Sequence, residues 1–254
     1  MSEKIPKNIF KKILLHQVFW ENQTKIKHEG MTEFVWKETA KIVIKIFPEL
    51  QLKIANKIME FFADDNSITG GYHSQINDVL IVSIKEKPRE TWKIIEKYIE
   101  PPYDSRAFHL TQWLRGGIFF NIQKPSVLEY FNFNDIWKWV EDNPKKRAPY
   151  LASFVPPNLF PTNDQPSLTR ELLIKYGELK SVRNSFSANY STEGWSGSEV
   201  EHFQSKKNEL IEMMKNEKSP NIQLWITEYI KYLDKDIERA KMFEEREGFF
   251  NNEE

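Results

Sequence analysis

The chain has 254 residues, with 36 Lys or Arg against 37 Asp or Glu and a formal net charge of −1, a balance that gives no general drive toward nucleic acid or anionic membrane surfaces. It has no cysteine, which excludes disulfides, thiolate nucleophiles and cysteine zinc sites. Only 9 glycines beside 14% aromatic residues argue against Gly-rich nucleotide loops and tight-turned β architecture, and for helices with large rings between them.

Residues 1–12 are charged and broken by Pro6, without the apolar core or small-residue cleavage site of a signal peptide. No run approaches the roughly 18 uninterrupted apolar residues of a membrane helix, so a cytoplasmic chain is expected. Lys4, Lys7, Lys11, Lys12, Lys25 and Lys27 fit a solvated face better than a phosphate-binding one.

Thr32 is the expected cap of a first helix carrying Phe34, Trp36, Ala40, Val43, Ile44 and Phe47 at a period near 3.6. Pro48 ends it and opens a second, with Leu52, Ala55, Ile58, Met59 and Phe62 on one face. The apolar run Val79 to Ile84 would suit a buried strand or a buried helix. Tyr72, Ile76, Val79 and Leu80 lead into it at helical spacing, which favours the helix. Pro88 starts a helix through Trp92, Ile95 and Ile99. Asp104 caps another bearing Phe108, Leu110, Trp113 and Leu114, which Gly116-Gly117 stops.

Ser126-Val-Leu-Glu129 reads as a capping box. Asn134 opens a helix with Ile136, Trp137 and Val140, and Asn143-Pro144 one with Ala148, Leu151, Ala152 and Val155. After a proline-rich loop, Ser167 begins a helix through Leu172, Leu173 and Tyr176, which Gly177 is expected to end in the left-handed conformation. Residues 178–190 form its partner. Ser198-Glu-Val-Glu201 is a second capping box, ahead of Phe203, Leu210, Ile211 and Met214. Ser219-Pro220 caps the last helix, whose stripe Ile222, Trp225, Tyr229, Leu233, Ile237 and Ala240 is the strongest periodic signal in the chain. There is no clear hairpin signal. The pattern predicts an all-α fold, an α-solenoid of paired short helices whose faces are buried only by stacking.

A resemblance sharpens this. Phe133-Asn-Asp-Ile-Trp-Lys-Trp-Val140, Lys145-Lys-Arg-Ala-Pro-Tyr-Leu-Ala152, Ser181-Val-Arg-Asn-Ser-Phe-Ser-Ala-Asn-Tyr190 and Gly194-Trp-Ser-Gly-Ser198 precede the long amphipathic end with Trp225 and Tyr229. Together they resemble the C-terminal HEAT-like helical module at the tail of large bacterial NTPase and effector proteins linked to antiphage defence. The resemblance implies a right-handed α-solenoid of degenerate HEAT-like helical pairs that recognises or scaffolds. Residues 1–254 are then one helical repeat domain, with a sub-division near 118–132 between an N-terminal helical part, 1–117, and a HEAT-like part, 133–247. In the large proteins an enzymatic region precedes the module, and no such motif precedes it here. The chain is therefore expected to be a stand-alone subunit or a piece of a larger protein.

Motifs for chemistry are sparse. There is no Gly-rich loop followed by Lys and Ser or Thr to cradle phosphates. His16, His28, His73, His109 and His202 share no close spacing, so neither a metal nor a cofactor is expected. Gly194-Trp-Ser-Gly197 imitates part of a nucleophile elbow with the second spacing wrong; Trp195 is expected to plug between helix pairs. The best candidates for partner binding are Arg183, Asn184, Asn189 and Tyr190 with Trp195, as arginine and aromatic anchors, although Arg183 packed against the following repeat is the plainer expectation. The sequence thus points to a non-catalytic scaffold for a protein partner, a large NTPase or a nuclease of a defence complex. The alternatives are a nucleic-acid-binding accessory subunit and an enzyme whose site, drawing on His73 or His109, is assembled by the fold.

Overall fold

The computed structural model describes residues 30–63, 73–100, 105–119, 122–124, 126–159, 167–192 and 196–250. Among the described residues there are eleven α-helices, two 3-10 turns and one short antiparallel ribbon. The chain divides into two units, Met1–Asn143 and Pro144–Glu254. The division falls C-terminal to the expected 118–132, for a reason visible in the packing of Trp139.

In the first unit, α1 (Gly30–Ile46) buries Trp36, Ala40, Val43 and Ile44. Its described start lies before Thr32, which is therefore inside the helix and not its cap. Pro48 opens a 3-10 turn, Pro48–Leu50, before α2 (Gln51–Ala63) buries Ile54, Ala55, Ile58 and Met59. The ambiguous run is helical: α3 (His73–Glu86) buries Val79, Leu80 and Ile84. Residues spaced by one, four and five lie on one helix face, which a strand would have split between two. Next come α4 (Pro88–Ile95) and α5 (Ser105–Arg115). Asp104 and residues 64–72 lie outside the described residues. α1 packs on α3, and α2 packs on α3, α4 and α5.

Gly116, at φ 69, takes the left-handed turn that stops α5. A ribbon comes next, β1 (Gly117–Phe119) against β2 (Ile122–Lys124), with Ile118 opposite Gln123. Strands this short carry no period-2 pattern long enough to read in a sequence. Ser126 caps a 3-10 turn, Val127–Tyr130, rather than an α-helix; its Oγ accepts from Leu128 N at 3.2 Å and donates to Leu114 O at 2.9 Å. The cap of α6 (Phe133–Asp142) is Asn132, not Asn134: Asn132 Oδ1 accepts from Asn134 N at 2.9 Å. Trp139 of α6 meets the edge of Trp92 at 5.8 Å between ring centroids, and its Nε1 donates to Glu100 at 3.2 Å. Phe131 closes on the same Trp92 at 5.2 Å. These ring contacts give α6 to the first unit.

The second unit comprises α7 (Pro144–Ala152), α8 (Leu168–Tyr176), α9 (Lys180–Tyr190), α10 (Glu199–Asn216) and α11 (Pro220–Phe250). Ser167 caps α8 and Ser198 caps α10, each accepting from the backbone N–H three residues on. α7 packs chiefly on α9, α8 on α11, and α10 on α11. The core stripe of α11 is the expected one, with Ile222, Trp225, Tyr229, Leu233, Ile237 and Ala240 all buried.

Gly177 departs from expectation. Its φ is −66, right-handed. A Cβ there would stand 2.9 Å from Cβ of Asn221 and closer still to Leu173 O. Glycine is required by the close approach of the Leu173 carbonyl and of α11, and not by a left-handed turn.

Candidate functional site

The residues singled out for partner binding lie on α9, and most of them turn inward. Arg183 is buried. Its Nε and Nη2 donate to the two carboxylate oxygens of Glu228 at 2.7 and 2.9 Å. Its Nη1 donates to the carbonyls of Gly177 and Glu178 at 2.7 and 2.9 Å. One guanidinium therefore donates to two carbonyls that follow α8 and ties α9 to α11. The Glu228 carboxyl is held below its usual range, first by hydrogen bonding to Arg183, then by the nearby charges of Arg183, Lys180 and Lys231, with burial opposing.

Asn189 is also buried; its Nδ2 donates to Ala152 O at 3.1 Å and Val155 O at 2.7 Å, capping the end of α7. Tyr190 sits in a ring cluster with Phe186, Trp225 and Tyr229. The buried Lys206 of α10 lies 4.1 Å from the centre of the Tyr190 ring, and its Nζ donates to Tyr190 O at 2.7 Å. Arg183, Asn189 and Tyr190 are thus framework residues of the unit and offer no exposed anchor. Asn184 is exposed. Trp195 lies outside the described residues.

The surface of α9 that remains in solvent is mostly polar: Lys180, Ser181 and Asn184, then Ser191 and Thr192 just past its end, with only the small Ala188 between them. Beside it the rings of Trp225, Tyr229 and Tyr232 stack in series along α11, at 5.5 and then 6.0 Å, and Tyr232 ends the series 51% exposed. Ser191 Oγ and Tyr229 Oη share a hydrogen bond of 2.7 Å across the seam. The seam of α9 and α11 is a strip of hydroxyls and one amide next to an aromatic edge.

Among the described residues no group of three or more His, Asp or Glu side chains could hold a metal ion, and no helix is long and apolar enough to cross a membrane. His202 lies against the ring of Phe203 at 5.5 Å. The side chains of His73 and His109, the whole of His16 and His28, and the basic positions from Lys4 to Lys27 lie outside the described residues. Gly197 adopts φ 101, where a side chain would be strained. In the sequence, the mixed charges from Asp234 to Glu247 read as an ordinary solvated face. The overlooked signal is a second set of positions at steps of three and four, opposite the core stripe. Compared with known proteins, the chain matches no family model, no curated protein and no solved structure.

Proposed function

We propose that the chain is a non-catalytic cytoplasmic scaffold that binds a protein partner, and that each unit is a run of degenerate HEAT-like helix pairs wound as a right-handed α-solenoid. The observation that carries this reading is the packing of helices on their next-but-one neighbours: α1 on α3 and α2 on α4 in the first unit, α7 on α9 in the second. Stacked helix pairs bury each other's apolar faces in this way and leave one row of helices exposed for recognition. The resemblance of residues 133–247 to the helical tails of defence proteins favours a large NTPase or a nuclease of an antiphage complex as the partner. Function does not follow from fold, so the partner must be found.

The test is affinity purification of the chain from its native host at low salt, with mass spectrometry of what accompanies it. A large NTPase or nuclease at fixed ratio is the expected result. Recovery of the chain alone would overturn the scaffold reading. A mobility shift with DNA or RNA that weakens steeply with salt would replace it with the nucleic-acid alternative.

A further inference from the structure

The solvent side of α11 carries a stripe of its own. Lys231, Lys235, Arg239, Met242 and Arg246 follow at steps of four, four, three and four, so they share one face. All five are exposed, Met242 at 56%, and Tyr232 borders them. The stripe runs for about 22 Å at 1.5 Å per residue. Its one carboxylate, Glu228, is already held by Arg183. Among the described residues Lys231, Lys235 and Arg246 form no close ion pair, though the charge of Lys231 acts on Glu228, and Arg239 reaches Asp236 at 2.9 Å while its own side chain stays 70% exposed. Glu238 and Glu245 stand at the edge of this face and limit its width to a single row of cations.

From this charge and spacing we propose that the stripe docks an acidic amphipathic helix of the partner protein. The inference rests on the scaffold reading above and gives its partner a chemistry. Carboxylates four residues apart on a helix lie about 6 Å apart along its axis, the interval of Lys231, Lys235 and Arg239. Apolar residues between those carboxylates would cover Met242 and Tyr232, as apolar anchors do in helix-against-helix recognition. A phosphate backbone would use the cations and leave Met242 in water, which is why a helix is favoured over a nucleic acid.

The probe is a designed helical peptide about 20 residues long, long enough to hold a helix in water. It carries glutamates at successive four-residue steps and leucines between them, and its controls are a scrambled peptide and a lysine-for-glutamate peptide. Binding is read by fluorescence anisotropy with the full chain and with the triple variant Lys231→Glu, Lys235→Glu, Arg246→Glu, whose helicity is checked by circular dichroism. The acidic peptide should bind the parent chain, lose at least about tenfold in affinity to the variant, and weaken with salt. The lysine peptide should prefer the variant. Equal binding of the acidic and scrambled peptides, or no effect of the variant, overturns the proposal. So does a preference for a DNA duplex of similar length. Retention of a native partner by the triple variant would leave the scaffold reading standing and remove this stripe from it, whereas loss of both peptide and partner binding to the parent chain removes both.

Discussion

Arg183 donates to four oxygens, two on Glu228 and one each on Gly177 and Glu178. The Glu228 side chain is 42% exposed and that of Arg183 only 8%, so the two partners are unequal. Without the guanidinium, two helix-end carbonyls lose their donor; without the carboxylate, Arg183 keeps those carbonyls and meets water. Arg183→Lys, which cannot reproduce the fork, is expected to cost about 2 kcal/mol, and Glu228→Gln about 1 kcal/mol or less. Urea denaturation of both variants checks the order; equal losses would mean that the ion pair outweighs the carbonyl bonds. Gln51 presents the reverse case. It is fully buried, and neither its amide nitrogen nor its amide oxygen meets a partner among the described residues. Gln51→Met keeps the length of the side chain and removes two desolvated polar atoms, so it should raise unfolding stability by about 1 kcal/mol. A lower urea midpoint for that variant would show that the amide has a bonding role in solution.

At the scale of the element, the sequence is most legible where a pattern repeats along one helix. The stripe from Ile222 to Ala240, the helix through Val79 and the cap at Ser198 each depend on residues within a few turns of one another, and all three appear in the structure. Legibility fails where the cause is distant in sequence. Packing of Arg183 against a following helix is the plainer expectation, but its partner Glu228, and Trp225 beside Tyr190, lie more than 30 residues away and no spacing rule names them. Gly177 shows the same limit: a glycine after a helix suggests a left-handed cap, and only the folded positions of the Leu173 carbonyl and Asn221 reveal a close approach instead. Because its backbone is already right-handed, Gly177→Ala keeps an allowed φ, and its penalty comes from crowding the carbonyl of Leu173 first and Asn221 of α11 second. That crowding should lower stability by about 1–3 kcal/mol, the usual range for overpacking, and shift the thermal midpoint down. An unchanged midpoint would mean that the end of α8 and α11 both yield at no cost.

At the scale of the molecule, residues 144–254 have an apolar core of their own. Leu151, Phe154, Leu172, Phe186, Leu210 and Trp225 are buried and come from five different helices or their flanks. Charge pairs within the same unit join distant positions: Arg170 to Glu217 and Arg183 to Glu228. A unit of this size with its core closed on itself should fold without the rest of the chain. Expressed alone, residues 144–254 should be helical and melt in one cooperative transition. The same fragment should be sensitive to acid. Both carboxyls are held below their ordinary 4.5, Glu217 chiefly by its hydrogen bond from Arg170 and Glu228 chiefly by that from Arg183, with burial opposing in each. A depressed folded-state value means that the stabilisation is fully present above the ordinary value and drains away as pH falls through the depressed one. Glu217 has the larger share, because its side chain is only 1% exposed and that of Glu228 is screened by solvent. Melts of the fragment from neutral pH downward should therefore hold level to about pH 5 and then fall, and Glu217→Gln should be less stable at neutral pH with a shallower loss in acid. A fragment that melts without cooperativity would show that the core needs residues before Pro144. A cooperative melt with the parent's acid slope kept in Glu217→Gln would move the acid sensitivity to other carboxyls.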